Sequence, residues 1–375
     1  MKHLHFVQST EPLEGGGLGR ATLELSSAME AIDCSLLIST GVEDRLEGGV
    51  RLFGRAGPTR AFFAPALLIQ AATLLAQANV VHGHGFYVGT NWLLGREVRK
   101  QSKSLVYHPH GMFEPWILSR SRWKKRIAHW LFEDANFKHA GLWRALTSKE
   151  ADQIRGLGIT APIVVSPNGI RLEAFDAVPA LRKAAAAKKS KRSLLFLARL
   201  HPKKGLDLLL QAWNSIPRTA RAGWQIVIAG PDELNHRAEI EALAGKLGVE
   251  DDLVFTGEVS GDSKIRCLAQ ADAFVLPSRS EGFSVAILEA MACRLPVIAT
   301  TACNFPELAT GGGGWCVEAT VEGVAGGLKN LFAVDDAELS QRGDHARALI
   351  ERRYTWPEIA RTIDEACRAV FAKEL

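Results

Sequence analysis

Two glutamates, Glu281 and Glu289, stand eight residues apart in the stretch SRSEGFSVAILEAMA, residues 278–292. In a continuous helix this spacing would separate them by about 12 Å, too far for both carboxylates to act on one substrate atom as an acid and a base. They could instead hold opposite ends of an elongated ligand that carries a phosphate in its middle. Taken alone, the pair is also compatible with a helix cap and a carboxylate on a solvated face.

The residues around the two glutamates predict a strand, a tight loop and a helix. An apolar run at 271–277 is typical of a buried strand, and the apolar residues after Glu281 recur at helical spacing. Gly282 allows the backbone to approach a ligand closely, and Ser280 and Ser284 are candidate helix caps. Because the first turn of a helix has free amides and the positive end of the helix dipole, this loop suits a phosphate.

A second group of charges, RLHPKKG at 199–205, follows the apolar run LLFLA and precedes another predicted helix. Arg199 offers a planar fork of donors and Lys204 a point charge, which is a frequent combination around phosphates. A solvated basic turn would also explain these charges, but it would not explain their pairing with the loop at Glu281. A sugar joined through a diphosphate to a nucleoside fits both loops.

Three consecutive glycines occur in EGGGLGR, residues 14–20, after the first predicted strand. The backbone at Gly16 and Gly17 could approach a diphosphate or a sugar, and a flexible turn is the alternative. The segment fits neither GxGxxG nor GxxxxGK[ST], because Arg20 occupies the place of the third glycine and no Lys-Ser/Thr pair follows. A Rossmann-type protein that binds NAD is therefore the disfavoured alternative from another functional class.

Histidines mark the ends of two predicted strands, in HGHG at 82–85 and in HPHGM at 108–112. Their spacing alone would allow metal ligation, but no nearby cysteine or carboxylate completes a site. Histidines at strand ends more often form hydrogen bonds. We therefore expect no metal and no cofactor, and the histidines at these strand ends are candidates for lining a ligand site.

Short apolar runs alternate with helical stretches along the chain, which predicts parallel strands joined by helices and an α/β fold. The predicted strands are 4–8, 35–39, 80–81, 105–107, 163–165, 194–198, 225–229, 253–256, 274–276 and 297–299. Binding residues in such folds lie at the carboxyl ends of the strands, which is where the glycines, the histidines and both charged loops occur.

A chain of 375 residues is longer than one hydrophobic core usually supports, so we expect two domains. We place an N-terminal domain at 1–182 and a nucleotide-sugar-binding domain at 193–353. The charged segment RKAAAAKKSKR, residues 182–192, is interpreted as an exposed linker. Residues 354–375 are predicted to form a final helix that begins near Pro357.

Composition argues against several classes of protein. Contents of 47% hydrophobic and 23% charged residues are ordinary for a soluble enzyme, and a net charge of +4 does not call for nucleic acid. The six cysteines form no CxxC pair, which argues against structural zinc and a disulfide framework. We find no signal-peptide pattern and no run of about 18 apolar residues, so we expect a cytoplasmic protein.

Five elements, in chain order, resemble the retaining glycosyltransferases of the GT-B fold, the GT4 or "group 1" family. They are the glycine segment at 14–20, HPHGMFEPW at 108–116, RLHPKKG at 199–205, EGFSVAILE at 281–289 and YTWPE at 354–358. The resemblance implies two doubly wound, Rossmann-like domains that face a central cleft. It also implies that the C-terminal helix crosses back to the N-terminal domain.

The same resemblance implies roles for individual residues. Glu281 and His110 would hold the transferred sugar, Glu289 would bind the ribose hydroxyls, and the backbone at 257–259 would border the base. The residues that we expect to carry catalysis are Glu281, His110, Arg199 and Lys204. The residues that we expect to bind the donor are Gly16, Gly17, Arg199, Lys204, Gly282, Phe283, Ser284, Glu289 and Val259.

The reaction implied is the transfer of a hexose from a UDP- or GDP-sugar to a hydroxyl of a carbohydrate or lipid-linked acceptor, with retention at the anomeric carbon. Its product would belong to a cell-surface polysaccharide or glycolipid. No Asp-x-Asp triplet occurs in the chain, and Arg199 and Lys204 can neutralise a diphosphate, so we expect no metal requirement. A nucleotide-sugar epimerase of the same fold is the alternative.

A basic and aromatic segment, SRSRWKKRIAHWLFEDANFKHA at 119–140, predicts contact with an anionic membrane surface. Its apolar side chains share one helical face: Trp123, Ile127, Trp130 and Leu131. The same face could instead pack into the core of the N-terminal domain. Membrane contact would place the protein on the inner face of the plasma membrane, beside a lipid-linked acceptor.

Overall fold

The structure is a computed structural model that describes residues 1–33, 35–41, 43–47, 49–56, 64–86, 89–113, 130, 133–186 and 190–372. The chain divides into two compact units. The first unit comprises residues 1–169 and 356–375, and the second comprises residues 170–355. Each is built from a mainly parallel sheet with helices, which confirms the predicted α/β class.

The first unit alternates strands and helices along most of its length. Its described strands are β1 His3–Val7, β2 Ser35–Gly41, β3 Arg45–Glu47, β4 Val50–Gly54, β5 Val80–His84, β6 Ser104–His108, β7 Leu142–Ala145 and β8 Ile163–Val165. Its described helices are α1 Pro12–Glu30, α2 Pro65–Ala76, α3 Gly89–Lys100, α4 Asp134–His139, α5 Ser148–Gly156 and, from the end of the chain, α14 Trp356–Phe371. The strands form one sheet in the order β3-β4-β2-β1-β5-β6-β7-β8, in which only β3 and β4 pair antiparallel.

The second unit repeats the same plan with an entirely parallel sheet. Its described strands are β9 Arg192–Leu197, β10 Trp224–Ala229, β11 Leu253–Gly257, β12 Ala273–Leu276, β13 Val297–Thr300 and β14 Gly314–Val317. Its described helices are α6 Val178–Ala186, α7 Leu206–Ser215, α8 His236–Leu247, α9 Gly261–Gln270, α10 Val285–Ala292, α11 Glu307–Thr310, α12 Val321–Ala333 and α13 Asp336–Arg353. The strand order is β11-β10-β9-β12-β13-β14, so the order reverses beside β9, where doubly wound sheets bind ligands.

Each predicted strand is found, and four further strands were missed. The sequence predicted the strands with continuous apolar runs, such as β12, whose residues are all buried. The missed strands are β3, β4, β7 and β14: β3 is fully exposed, β4 (VRLFG) and β7 (LWRA) each contain an arginine, and β14 (GWCV) follows a run of glycines. Such strands are specified by their neighbours in the sheet more than by their own residues.

The last helix packs on the first unit, which confirms the prediction that it returns to the N-terminal domain. Helices α14 and α1 share a core whose side chains are at most 2% exposed: Leu25, Met29, Ile363 and Phe371. Gly141 leaves room for this helix, because a Cβ at that position would lie 2.6 Å from the Phe371 ring. The same helix carries Asp364, which contacts the buried face of β1.

The predicted boundary at residue 182 lies inside helix α6, and residues 170–182 belong to the second unit. Val178 and Leu181 pack against the core of that unit. Arg182 donates a hydrogen bond to the carbonyl of Cys293 at 2.7 Å, and burial lowers the pKa of its guanidinium. The charged run that suggested a linker therefore begins as one side of a packed helix.

The predicted membrane-binding segment at 119–140 lies largely outside the described residues. Of its apolar face, only Trp130 is described, and its side chain is 81% exposed. Among the described residues, no helix combines the length and the apolar character needed to cross a bilayer.

Candidate functional site

The loop after β12 holds Glu281, which is 7% exposed. Its Oε1 accepts hydrogen bonds from Lys204 Nζ and Ser278 Oγ, each at 2.6 Å. Its backbone amide donates to the carbonyl of Ala302 at 3.0 Å, and its carbonyl accepts from Asn304 Nδ2 at 2.6 Å. The residue is thus fixed from both its backbone and its side chain, and no partner for Oε2 is found in the described part of the chain.

Lys204 reaches this carboxylate because Gly205 lets two loops meet. Gly205 has a left-handed φ of 71°, and a Cβ there would lie 2.0 Å from the carbonyl oxygen of Pro277, so a side chain at 205 would force the loops apart. Arg279 and Asp207 also join the loops through two parallel hydrogen bonds of 2.7 Å. Burial acts to raise the pKa of Asp207, but the hydrogen bonds and charge of Arg279 hold it below its ordinary value.

Arg199, at the end of β9, is 62% exposed and pairs with Glu233 at 2.6 Å. Glu233 is a partner that the sequence did not suggest. The structure thus places Arg199 and Lys204 at the same end of the sheet but gives each its own carboxylate. A ligand phosphate that bound Arg199 would have to share or displace Glu233.

Glu289 lies on α10 and is 8% exposed. Its Oε1 accepts a hydrogen bond of 2.5 Å from Lys264 Nζ on α9. The sequence did not single out Lys264, because an isolated lysine in a helix carries no motif. Each of the two glutamates therefore has a separate lysine partner, which is consistent with separate tasks.

Helix α10 begins at Val285, after a loop that contains Gly282, Phe283 and Ser284. Ser284 occupies the N-cap position, but its side chain makes no capping hydrogen bond. The expectation that Ser284 caps this helix is therefore confirmed for its position but not for a side-chain hydrogen bond, and Ser280 lies too far before the helix to cap it.

A cavity of about 330 Å³ lies at the carboxyl ends of β9, β10 and β11. Its lining comprises Leu200, Ile228, Gly230, Pro231, Asp232, Arg237, Phe255, Gly257 and Glu258. The Arg237 guanidinium lies over the Phe255 ring, 4.7 Å from its centroid. Val259, which was grouped with Gly257 and Glu258 in the sequence, lines a different hollow with Val227 and Cys267.

Three adjacent parallel strands of the first unit, β1, β5 and β6, carry paired histidines on one face. The register sets His5 opposite His82 and His84 opposite His108, and alternate residues of a strand share a face. The side chains form two rows across the sheet: the His108 row of His3, His82 and His108, and the His110 row of His5, His84 and His110. Neighbours within a row are joined Nδ1 to Nε2 at 2.9–3.1 Å, and the rows stack on each other with centroids 4.1–4.3 Å apart.

Each row meets an acceptor at one end. His3 Nε2 lies 3.2 Å from Asp364 Oδ1, and His5 Nε2 lies 3.2 Å from Met29 Sδ. At the other end of the His108 row, the buried Nδ1 of His108 has no hydrogen-bond partner among the described residues. The two rows thus run in the same direction, from helices α14 and α1 toward the carboxyl end of β6.

Burial keeps these imidazoles neutral. It lowers the pKa of five of them well below 6.5, with a further contribution from the Arg144 charge: His5, His82, His84, His108 and His110. For His3, burial again lowers the pKa and Asp364 opposes the shift. Nitrogens of His84, His108 and His110 lie within 4.8 Å of one another, as a metal site would need, although His84 and His110 are already hydrogen bonded to each other.

Arg144 is 1% exposed and lies beside the rows. Its guanidinium donates to the carbonyls of Ser166 and Pro167 at 2.8 and 2.5 Å, which fixes the turn that contains Asn168. Its Nη1 has no hydrogen-bond partner among the residues that the structure describes. Burial lowers the pKa of Arg144 to about 9, so the group remains charged at neutral pH.

The backbone at His110 is unusual, because its φ of 54° lies in the left-handed region that side chains other than glycine rarely adopt. Glu150, on α5, holds this turn by accepting hydrogen bonds from the amides of Gly111 and Leu146 at 2.6 and 2.7 Å. Backbone strain that is held by buried contacts is frequent at functional sites. The conformation of His110 is therefore fixed by buried contacts of the turn and not only by its position after strand β6.

Comparison with known proteins accounts for both units. Residues 178–348 match the model for glycosyl transferases group 1, and residues 16–169 match the glycosyl transferase 4-like domain. The chain belongs to the group 1 family of glycosyltransferases. The resemblance found in its motifs is thereby confirmed.

Curated relatives of this chain have names that state varied substrates. The D-inositol 3-phosphate glycosyltransferase of Actinosynnema mirum is 30% identical over 263 residues, which are 67% of this chain and 62% of that protein. The lipopolysaccharide core biosynthesis mannosyltransferase LpsB of Rhizobium meliloti is 30% identical over 221 residues, 55% of this chain and 62% of that protein. The alignments span about half to three fifths of the length of the curated relatives that the chain matches.

Solved structures show the fold. Anabaena Alr3699/HepE in complex with UDP gives a TM-score of 0.75 at 20% identity, with 98% of this chain and 100% of that chain covered. Such a likeness over both units confirms the predicted GT-B class.

The sequence had suggested that the glycine segment forms a loop before a helix, but the segment lies within helix α1. Gly16 interrupts the helix with φ 51° and ψ −142°. Gly15 and Gly19 pack against the Ser9 carbonyl, which a Cβ would approach to 2.2 and 2.3 Å, whereas Gly16 and Gly17 face open space. The first pair therefore serves packing, and the second pair leaves exposed backbone that a ligand can approach.

Several residues of the site escaped the sequence analysis: Lys264, Glu233, Arg144, Glu150, His3 and His5. A signal was present for the histidines, since HLH at 3–5, HGH at 82–84 and HPH at 108–110 repeat the same alternation in three strands. If the three strands are adjacent and parallel, that repeat predicts that the histidines lie on one face of the sheet. The other four act through contacts between distant segments, for which a single sequence holds no pattern.

Proposed function

We propose that this chain is a retaining glycosyltransferase that moves a hexose from a nucleotide diphosphate sugar to a hydroxyl acceptor. The observation that carries the proposal is the state of Glu281. Two donors saturate its Oε1, while Oε2 has no partner among the described residues and is available to a ligand. A carboxylate held in this way, next to a lysine and a glycine loop, suits a sugar whose leaving group is anionic.

The diphosphate is assigned to Arg199, Lys204 and the backbone at 282–284. Departure of the diphosphate creates negative charge, and cations fixed in advance stabilise that charge in the transition state. Lys204 is already fixed by Glu281, so its ammonium group needs little reorganisation. Because these cations can neutralise the leaving group, the proposed reaction has no metal requirement.

The nucleoside is assigned to the cavity at the ends of β9 to β11, with Glu289 on the ribose. The cavity volume of about 330 Å³ suits a group of the size of a base. Alr3699/HepE has been solved in complex with UDP and with UDP-glucose, and relatives of the chain include a GDP-mannose-dependent mannosyltransferase. We propose a UDP- or GDP-sugar as the donor.

In this proposal, His110 forms a hydrogen bond to the transferred hexose. The exposed backbone at Gly16 and Gly17 contacts the donor or the acceptor. The names of relatives point to acceptors in lipopolysaccharide and phosphatidylinositol mannosides. We therefore propose a carbohydrate or lipid-linked acceptor and a role in the synthesis of a cell-surface polysaccharide or glycolipid.

We extend the proposal to a cytoplasmic protein with peripheral contact to an anionic membrane through 119–140. The exposed Trp130 supports it, since an indole ring suits the membrane interface. Co-sedimentation with anionic liposomes should weaken with salt and should fall when Lys124, Lys125 and Arg126 become serine. Absence of binding by the wild type at low salt would remove the membrane contact and leave the transferase proposal intact.

The test of the activity is a screen of UDP- and GDP-sugars for release of the nucleotide in the presence of candidate acceptors. Release that depends on one donor and one acceptor, with an α-linked product from an α-linked donor, is the expected result. Release without an acceptor-linked product, or no turnover with any nucleotide sugar, would contradict the proposal.

A further inference from the structure

The direction of the hydrogen bonds in the His110 row follows from the atom at its far end. Met29 Sδ carries no proton and can only accept, so the ring nitrogen that it meets, His5 Nε2, must be the donor. A neutral imidazole has one N–H, and His5 is neutral because burial lowers its pKa well below 6.5. His5 Nδ1 is therefore bare and accepts.

The proton position on each further histidine of the row follows in the same way, with one possible arrangement at each step. His5 Nδ1 lies 3.1 Å from His84 Nε2, which must donate, and His84 Nδ1 in turn lies 2.9 Å from His110 Nε2. His110 Nε2 therefore also donates, and its one proton is used. The remaining nitrogen, His110 Nδ1, is a bare acceptor at the partly exposed end of the row, and no partner for it is found among the described residues.

The reversed arrangement would leave a bare His5 nitrogen against the lone pairs of Met29 in a site with no room for water, since His5 is 0% and Met29 is 1% exposed. A buried polar atom without a partner is unfavourable. The His108 row provides an internal comparison. It ends on Asp364, also an acceptor, but a carboxylate could stabilise a protonated His3 and so reverse that row, whereas a thioether stabilises no such charge.

We propose that Met29, His5 and His84 are positioning residues that fix His110 as the Nε2–H tautomer, so that its Nδ1 accepts a hydrogen bond from a hydroxyl of the transferred hexose. The inference rests on the proposed function for the identity of the hydroxyl donor. It adds a selectivity rule: the sugar position that faces His110 must carry a group that donates a hydrogen bond.

The tautomer is tested by nitrogen NMR of the full chain labelled with ¹⁵N-histidine, in which the His110 signals are found by their loss in His110→Gln. The expected spectrum has a protonated Nε2 and a bare Nδ1 for His110 at pH 7.5. Met29→Leu removes the acceptor and keeps the volume, and it should bring in the Nδ1–H form of His110. Leu25→Met, in the same buried core of α1, is the matched control and should leave the spectrum unchanged.

The hydroxyl is tested with monodeoxy and monodeoxyfluoro analogues of the accepted donor at positions 3, 4 and 6 of the hexose. At the position that faces His110, both replacements should lower kcat/KM by about tenfold in the wild type, because neither hydrogen nor fluorine donates. The penalty of the deoxy analogue should disappear in His110→Ala, and the penalty of the fluoro analogue should shrink to the part that fluorine causes by withdrawing electrons from the sugar. A fluoro analogue that is used as well as the hydroxyl, or a His110 that carries its proton on Nδ1, would overturn the proposal.

The two experiments separate the inference from the proposed function. The NMR spectra need no substrate, so they decide the direction of the His110 row even for a protein that transfers no sugar. An Nε2–H His110 with no active donor would refute the sugar contact and the proposed function together, and a Nδ1–H His110 in an active transferase would refute only the inference.

Discussion

The two units fix polar groups at the ends of their sheets in opposite ways. In the second unit, Glu281 and Glu289 are each paired with a lysine from a neighbouring segment. In the first unit, the buried histidine rows are uncharged and hold one another through hydrogen bonds. The second unit therefore offers charged side chains at the end of its sheet. The first unit offers neutral hydrogen-bond donors and acceptors, whose direction is fixed along the histidine rows.

This difference predicts that acid destabilises the first unit before the second. Below pH about 6.5 the unfolded chain binds protons at the six row histidines, while the folded rows resist protonation because burial lowers their pKa. Stability should therefore be constant above about pH 7.5 and fall on acidification, by about 1.4 kcal/mol per pH unit for each histidine that stays neutral. At His3, Asp364 opposes the lowering of the pKa and the charge of Arg368 enhances it, whereas at the other five histidines the charge of Arg144 enhances it.

Hydrogen–deuterium exchange, corrected for the intrinsic effect of pH, measures this at pH 7.5 and 5.5. Protection of β5 should fall by more than that of β12. His345→Gln, which replaces an exposed histidine outside the rows, should leave the difference unchanged. Equal losses in both strands would show that the rows do not govern acid sensitivity.

The largest expected effect on activity is that of Glu281→Gln. The amide keeps the shape but loses the charge that fixes Lys204, so kcat should fall by roughly 10²-fold or more with a smaller change in the KM for the donor. Steady-state kinetics with saturating acceptor measure it. Glu365→Gln, on the exposed side of α14, serves as a control and should be close to the wild type, and a loss confined to KM would contradict a role at the reacting sugar.

Glu289→Gln tests whether the two glutamates of the second unit have different tasks. Since we place this carboxylate on the ribose, the variant should bind the free nucleotide about tenfold more weakly and retain most of its kcat. Calorimetric titration with UDP or GDP gives the affinity. If Glu281→Gln weakens nucleotide binding just as much, the separate tasks of the two lysine-paired glutamates are not supported.

The smallest effect is expected from removal of metal ions. Because Arg199 and Lys204 are proposed to neutralise the diphosphate, incubation with EDTA should change the rate of transfer by less than about twofold. The histidine rows should likewise give unchanged NMR signals. Activity that is abolished by EDTA and restored by Mg²⁺ or Mn²⁺ would require a metal site that the proposal does not include.

The sequence by itself determined the two α/β units, their parallel strands and the place of the charged loops. Continuous apolar runs identify buried strands, and glycines followed by helical periodicity identify loops at strand ends. Glu281, Lys204 and His110 could be found because each stands in such a loop, and the group 1 resemblance covers both units. The boundary at 182 was placed inside a helix because charge was taken as a sign of exposure.

Only the tertiary structure decided which side chains meet. Lys264 reaches Glu289 across two helices, Met29 meets His5 from α1, and Asp364 meets His3 from the last helix, 361 residues away in the chain. Such contacts depend on strand order and helix packing, which a single sequence does not encode in any local pattern. The direction of the His110 row is decided in the same way, because one sulfur atom, brought in by a packed helix, determines where each proton lies.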